Sequence, residues 1–128
     1  VTMNGVVFDH TALLAFGAGH QLLSGLVVQA HREHGRHLFV PALCLAGAAA
    51  QRPALGEHVG ALPVLDVVEL RYSGALAVGR LVKEGVDWEL AHAVVLGRPD
   101  PEWPQGRPVL TATPKAYAGL GVLTIDVR

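Results

Sequence analysis

The chain has 128 residues, enough for one hydrophobic core and too few for two ordinary domains. Ten basic against eleven acidic side chains leave it nearly neutral, which argues against a strong nonspecific nucleic-acid binder and leaves room only for a local basic patch. Half the residues are apolar, yet no run approaches the roughly 18 needed to cross a membrane. Cys44 is the single cysteine, so no internal disulfide framework exists and a reducing cytoplasm is the expected compartment. The opening V-T-M-N-G has neither the basic start nor the long apolar core of a secretory signal.

Val6, Val7 and Phe8 form a short continuous apolar run, the pattern of a strand buried on both faces. Asp9 follows, and Thr11 opens the helical pattern Ala12–Leu14. Gly17-Ala18-Gly19 breaks it, and apolar positions at Leu22, Leu26, Val27 and Ala30 then predict a helix over 21–33 with Gly35 as its C-cap. Leu38-Phe39-Val40 is a second strand, stopped by Pro41, and Ala42–Gln51 is a small-residue helix closed by Pro53. A short helix over Leu55–Leu62 leads to a third strand, Val64–Leu70.

Ser73 is the expected N-cap of a helix Gly74–Lys83, and Asp87 opens another that runs to about Leu96. Arg98–Arg107 is a loop with Trp103 as local anchor. Pro108–Thr111 is a fourth strand, Pro114–Leu120 a helical turn, and Val122–Val127 a fifth strand. Strands alternating with helices predict a single α/β domain over 1–128, with a central parallel sheet flanked by helices.

Parallel strands bring their carboxyl ends to one edge of a sheet, where open α/β folds bind ligands. Asp9, Asp87 and Thr113 all fall at strand ends or helix starts on that side. On local sequence alone each aspartate reads first as an N-cap, a role that Asp favours. Two convergent carboxylates would suit a hard divalent cation that clamps a phosphodiester. His10 and His92 adjoin the two aspartates and are candidates to touch a phosphate, although His92 also reads as a core histidine satisfied by backbone. His31, His34 and His37 repeat every third residue, but Gly35 interrupts them, which points to a solvated helix end. Cys44 reads as a small core residue, and Trp88 as a packing residue.

Four pieces, V-V-F-D-H-T-A-L-L-A, F-V-P-A-L-C-L-A-G-A, D-W-E-L-A-H-A-V-V-L and P-V-L-T-A-T-P-K-A-Y, occur in an order and spacing that resemble the PIN-domain proteins. That family consists of metal-dependent ribonucleases and includes toxins of bacterial toxin–antitoxin pairs. The resemblance spans nearly the whole chain and implies the strand order 3-2-1-4-5. It also implies a site of three or four acids around Mg²⁺ or Mn²⁺. Asp9 matches the first acid, Thr11 the hydroxyl two positions on, and Asp87 a later acid, four residues before Ala91. The position of the family's helical Glu falls on Gly47, and that of its last Asp on Thr113.

Asp9 and Asp87 are therefore the expected metal ligands, holding Mg²⁺ or Mn²⁺ weakly or not at all. Gly47 should leave a space for water to fill. Glu89, two residues beyond Asp87 on a helix, is expected to point away. Two functions follow from the resemblance. One is a degenerate domain that binds a protein (antitoxin-like) or RNA without efficient hydrolysis. The alternative is a weakened Mg/Mn-dependent ribonuclease, as in a toxin. The missing acids favour the first. Apolar and small residues around Gly17–Leu26 and Ala42–Ala50 further predict a homo-oligomer, in the simplest case a homodimer.

Overall fold

A computed structural model describes residues 4–128. Five parallel strands form one sheet in the order β3-β2-β1-β4-β5, with β1 (Gly5–Phe8) at its centre. The others are β2 (His37–Pro41), β3 (Leu65–Val68), β4 (Val109–Thr111) and β5 (Thr124–Asp126). Val6 pairs with Leu38 and Val7 with Phe39 on one side of β1, while Val7 pairs with Val109 and Phe8 with Leu110 on the other. A strand with neighbours on both sides and helices on both faces has nowhere to place a polar side chain. All four residues of β1 are accordingly buried.

The strand period of two divides the core. Val6, Phe8, Leu38, Val40, Leu65 and Leu110 point to one face, against α1 (His10–Gly17), α2 (Gln21–Arg32) and α4 (Pro53–Gly60). Val7 and Val109 point to the other, against α3 (Ala42–Gln51), α5 (Tyr72–Lys83) and α6 (Trp88–Gly97). Each such side chain, taken fully from water, contributes about 1.5–3 kcal/mol. Phe8 and Phe16 meet edge to face at 6.4 Å, which locks α1 onto the sheet.

Several boundaries differ from those expected. Pro53 starts α4, occupying its first turn, where a missing N–H leaves no bond unmade. Helix α5 begins two residues before Gly74 with Arg71 as its N-cap residue, so Ser73 caps nothing and lies within the helix. Helix α2 ends on an extended Glu33, and the positive φ of Gly35 serves the turn that follows. Residues Pro114–Tyr117 form a 3₁₀ turn, the tighter geometry that suits so short a run.

Trp103 anchors the loop before β4 as expected. Its ring sits directly over Gly5, where any side chain would collide with it, and meets Phe39 edge to face at 6.0 Å. Helix α3 packs against α1, α4 and α6, so its small residues serve internal close approach, and Cys44, Gly47 and Ala48 are buried. The large exposed apolar side chains include Leu22, within the Gly17–Leu26 stretch, Val28 on α2, and Tyr72, Leu76 and Val82 on α5. No single helix among the described residues is long and apolar enough to cross a membrane.

Candidate functional site

Strand order reverses at β1, since β2 lies on one side and β4 on the other. The carboxyl end of β1 is therefore the crevice where an open parallel sheet places its chemistry. Asp9 stands there as the N-cap of α1, with extended backbone. One carboxylate oxygen, Oδ1, accepts from the Ala12 N–H at 2.9 Å and from the Thr11 hydroxyl at 2.6 Å. The other, Oδ2, accepts from the Tyr117 hydroxyl at 2.7 Å. Asp9 is 0 % exposed. Both readings of Asp9 thus meet in one residue: it sits at the strand end, and it caps the helix.

Thr11 joins the two central strands. Its hydroxyl donates to Asp9 and accepts from the Ala112 N–H at 2.8 Å, just past the end of β4. Thr111 continues the network, with its hydroxyl 3.3 Å from those of Thr11 and Thr113 and accepting from the Thr113 N–H at 2.9 Å. Thr113 is exposed at the end of this chain of hydroxyls. Burial, and then the nearby Asp9 charge, push the Tyr117 phenol far above its ordinary pKa. It remains a donor to Asp9 at any ordinary pH.

The second wall differs from expectation. Glu89 does not point away. Its side chain lies over Gly47, so that a Cβ built on Gly47 would stand 2.9 Å from Glu89 Cγ, 3.2 Å from Glu89 Cβ and 3.4 Å from His10 Cβ. The place that Gly47 leaves is filled by Glu89 rather than by water. Helical periodicity relates only residues that both have helical dihedrals. Asp87, the N-cap residue of α6, is extended with φ −60° and ψ 138°, so its direction says nothing about that of Glu89. Asp87 is exposed and makes no side-chain capping bond, so its carboxylate does not cap α6.

Cys44 lies between the two walls. Its thiol donates to the Glu89 carbonyl at 3.1 Å. Burial, followed by the charge of Asp9 and, more weakly, that of Glu89, pushes the thiol pKa far up. A thiol so held is no nucleophile. His10 sits beside Gly47 with its buried Nδ1 unpartnered. His92 is buried, and its Nδ1 accepts the Leu43 N–H at 3.3 Å, satisfying an orphan donor in the first turn of α3. His92 is thus the core histidine of the two expected roles. Trp88 is 44 % exposed, so its ring is partly covered. His31, His34 and His37 are all exposed, and His37 stacks on Phe39.

Desolvation holds His92 below its ordinary pKa of 6.5. As pH falls below about 6.5, the unfolded chain takes up a proton that the folded one refuses. Stability should therefore fall by up to about 1.4 kcal/mol per pH unit until His92 protonates in the fold. Melting temperatures followed from pH 7.5 downward should show this acid slope, and His92→Gln should flatten it. An unchanged slope would mean that other groups carry it.

A divalent cation of the kind expected needs carboxylate oxygens free to approach it. Asp9 Oδ1 accepts two bonds and Oδ2 one, which leaves a single acceptor site on a carboxylate with no solvent exposure, and Asp87 is exposed. Among the described residues no three His, Cys, Asp or Glu side chains are grouped to hold an ion. Composition and spacing gave no sign of Tyr117 or Cys44 as neighbours of Asp9. For Glu89 a signal existed: a bare glycine inside a helix that faces another helix marks a place for a neighbour's side chain. No protein-family model matches the chain, and no curated protein matches it either.

Proposed function

We propose that the chain is a degenerate PIN-like domain that acts by binding a protein, antitoxin-like in role, or RNA, without efficient hydrolysis. One observation carries this reading: Asp9, the acid at the head of the crevice, is fully buried with both carboxylate oxygens accepting bonds from its own chain. A carboxylate used in this way stabilises the joint between β1, β4 and the Tyr117 turn. A cation could draw only on the one acceptor site left on Oδ2, within a carboxylate closed to solvent. The exposed apolar side chains of α2 and α5 support self-association as part of the same reading.

The test is cleavage of a mixed RNA panel with Mn²⁺, with and without chelator, beside Asp9→Asn. The expected result is no chelator-sensitive cleavage and weak or no heat on titrating Mn²⁺. Efficient cleavage that needs both metal and Asp9 would overturn the reading in favour of a weakened Mg/Mn-dependent ribonuclease, such as a toxin. That second reading draws support from Glu89, an acid whose Cβ and Cγ lie against Gly47, the position where the family resemblance expects one. Light scattering at high micromolar concentration should give a mass above that of the monomer. A strictly monomeric mass counts against self-association.

A further inference from the structure

Helix α5 carries apolar side chains on two opposite sides. Val78 and Leu81 turn inward, to the core that α5 shares with α6. On the outer side Tyr72, Leu76, Gly79 and Lys83 follow one another at spacings of four, three and four, which aligns them in one stripe along the helix. All four are exposed, Tyr72 to 81 % and Leu76 to 50 %. Gly79 leaves a gap in the stripe, since a Cβ built there would meet no atom within 4 Å.

The two charges that bound α5 oppose its own dipole. Arg71 is its N-cap residue and Glu84 its C-cap residue, which sets a cation at the positive end and an acid at the negative end. Neither of them, nor Lys83, has an ion-pair partner among the described residues. A spacing of four, three and four also reads the same in both directions. Reversing one such helix beside another therefore brings Leu76 opposite Gly79 and Tyr72 opposite Lys83, with Arg71 level with Glu84, each pair being symmetric about the midpoint between Ala77 and Val78. Each helix end then lies beside an end of opposite sign. A parallel pairing would instead set Lys83 against Lys83 and leave glycine against glycine.

We propose that the outer face of α5 binds a second copy of this chain, in a two-fold dimer whose α5 helices run antiparallel, with Leu76 of each protomer filling the gap over the partner's Gly79. The Lys83 ammonium meets the ring of the partner's Tyr72. The other apolar patch, Leu22 and Val28 of α2, offers no such match, because Glu33 at the end of that helix is already paired with Arg36 at 2.8 Å. One 12-residue helix per protomer makes a small interface, so association should lie in the micromolar range. This interface rests on the self-association within the proposed function and is independent of the Asp9 crevice.

Sedimentation equilibrium of the whole chain across the micromolar range should show a reversible monomer–dimer equilibrium. Leu76→Glu, which buries a charge in the contact, and Gly79→Gln, which fills the gap, should each weaken the dimer at least about tenfold. Both positions are exposed, so neither change should lower the melting temperature measured at a dilution where the natural protein is monomeric. Leu22→Glu on α2 should leave the dimer intact. Tyr72→Cys/Lys83→Cys should form a disulfide-linked dimer on mild oxidation far faster than either single variant, the native Cys44 being buried. A monomer at every concentration overturns both this interface and self-association itself. A dimer that survives Leu76→Glu and Gly79→Gln, or that is lost with Leu22→Glu, overturns the α5 face and leaves self-association standing. Cross-linking of Tyr72→Cys alone as fast as the double variant overturns the antiparallel pairing.

Discussion

Replacing Asp9 by Ala is expected to destabilise the metal-free protein by about 2–5 kcal/mol, a large share of a small domain's total. Loss of an N-cap alone costs about 0.5–2 kcal/mol. The remainder comes from stranding two hydroxyls. Tyr117 is buried and donates to Oδ2, and Thr11 is held between Oδ1 and the Ala112 N–H. Each buried donor left without an acceptor costs about 1–3 kcal/mol. Tyr117→Phe removes one bond only and should cost about 1–3 kcal/mol. In the Asp9→Ala background the same change should cost much less, because the bond is already gone. Urea unfolding of the four proteins gives the cycle. A carboxylate kept chiefly to await a cation behaves oppositely, and its removal relieves an uncompensated charge. A rise in metal-free stability for Asp9→Ala would therefore sink the view that Asp9 is bonded for structure.

The sheet was legible because its signals are strong and local. Val6–Phe8 is apolar throughout, as only a strand covered on both faces can be, and β1 is that strand. Alternation of strands with helical periods then leaves few arrangements once crossovers are right-handed, and the order 3-2-1-4-5 is observed. Helix starts were less legible. Ser73 is a favoured cap by type, but α5 begins at Tyr72, where chain entry from β3 rather than capping chemistry sets the boundary. The site was legible at Asp9 and Thr11, whose roles depend on residues two and three positions away. It was illegible at Tyr117, 108 positions from Asp9, because no local pattern encodes which side chain a 3₁₀ turn delivers across the sheet. The direction of Glu89 is illegible from its spacing because Asp87 lies outside the helix whose period relates the residues after it.

Gly47 and Glu89 supply the sharpest test of how this crevice is filled. In an ordinary helix interior Gly→Ala stabilises by up to about 1 kcal/mol. At Gly47 the added Cβ would stand 2.9 Å from Glu89 Cγ, with Glu89 Cβ at 3.2 Å and His10 Cβ at 3.4 Å. Those atoms lie close to their own backbones, so α3 and α6 must separate or Glu89 must turn outward. Gly47→Ala should therefore destabilise by about 1–3 kcal/mol, the range for overpacking a close-packed contact. In a Glu89→Ala background the Cγ contact is gone, and Gly47→Ala should be neutral or favourable, a coupling of about 1–3 kcal/mol. Additive effects would mean that the two side chains do not compete for this space. The same competition governs any attempt to restore a fuller acidic site. Gly47→Glu with Thr113→Asp should displace Glu89 and gather carboxylates around Asp9, lowering metal-free stability as like charges raise one another's pKa values. Exposed Thr113 accommodates its change easily, so the loss should come from position 47. Mn²⁺ calorimetry should then show tighter binding than the natural protein gives, with thermal stability recovered on adding metal. If Mn²⁺ affinity does not rise, Gly47 and Thr113 are not the positions at which the resemblance places the missing acids.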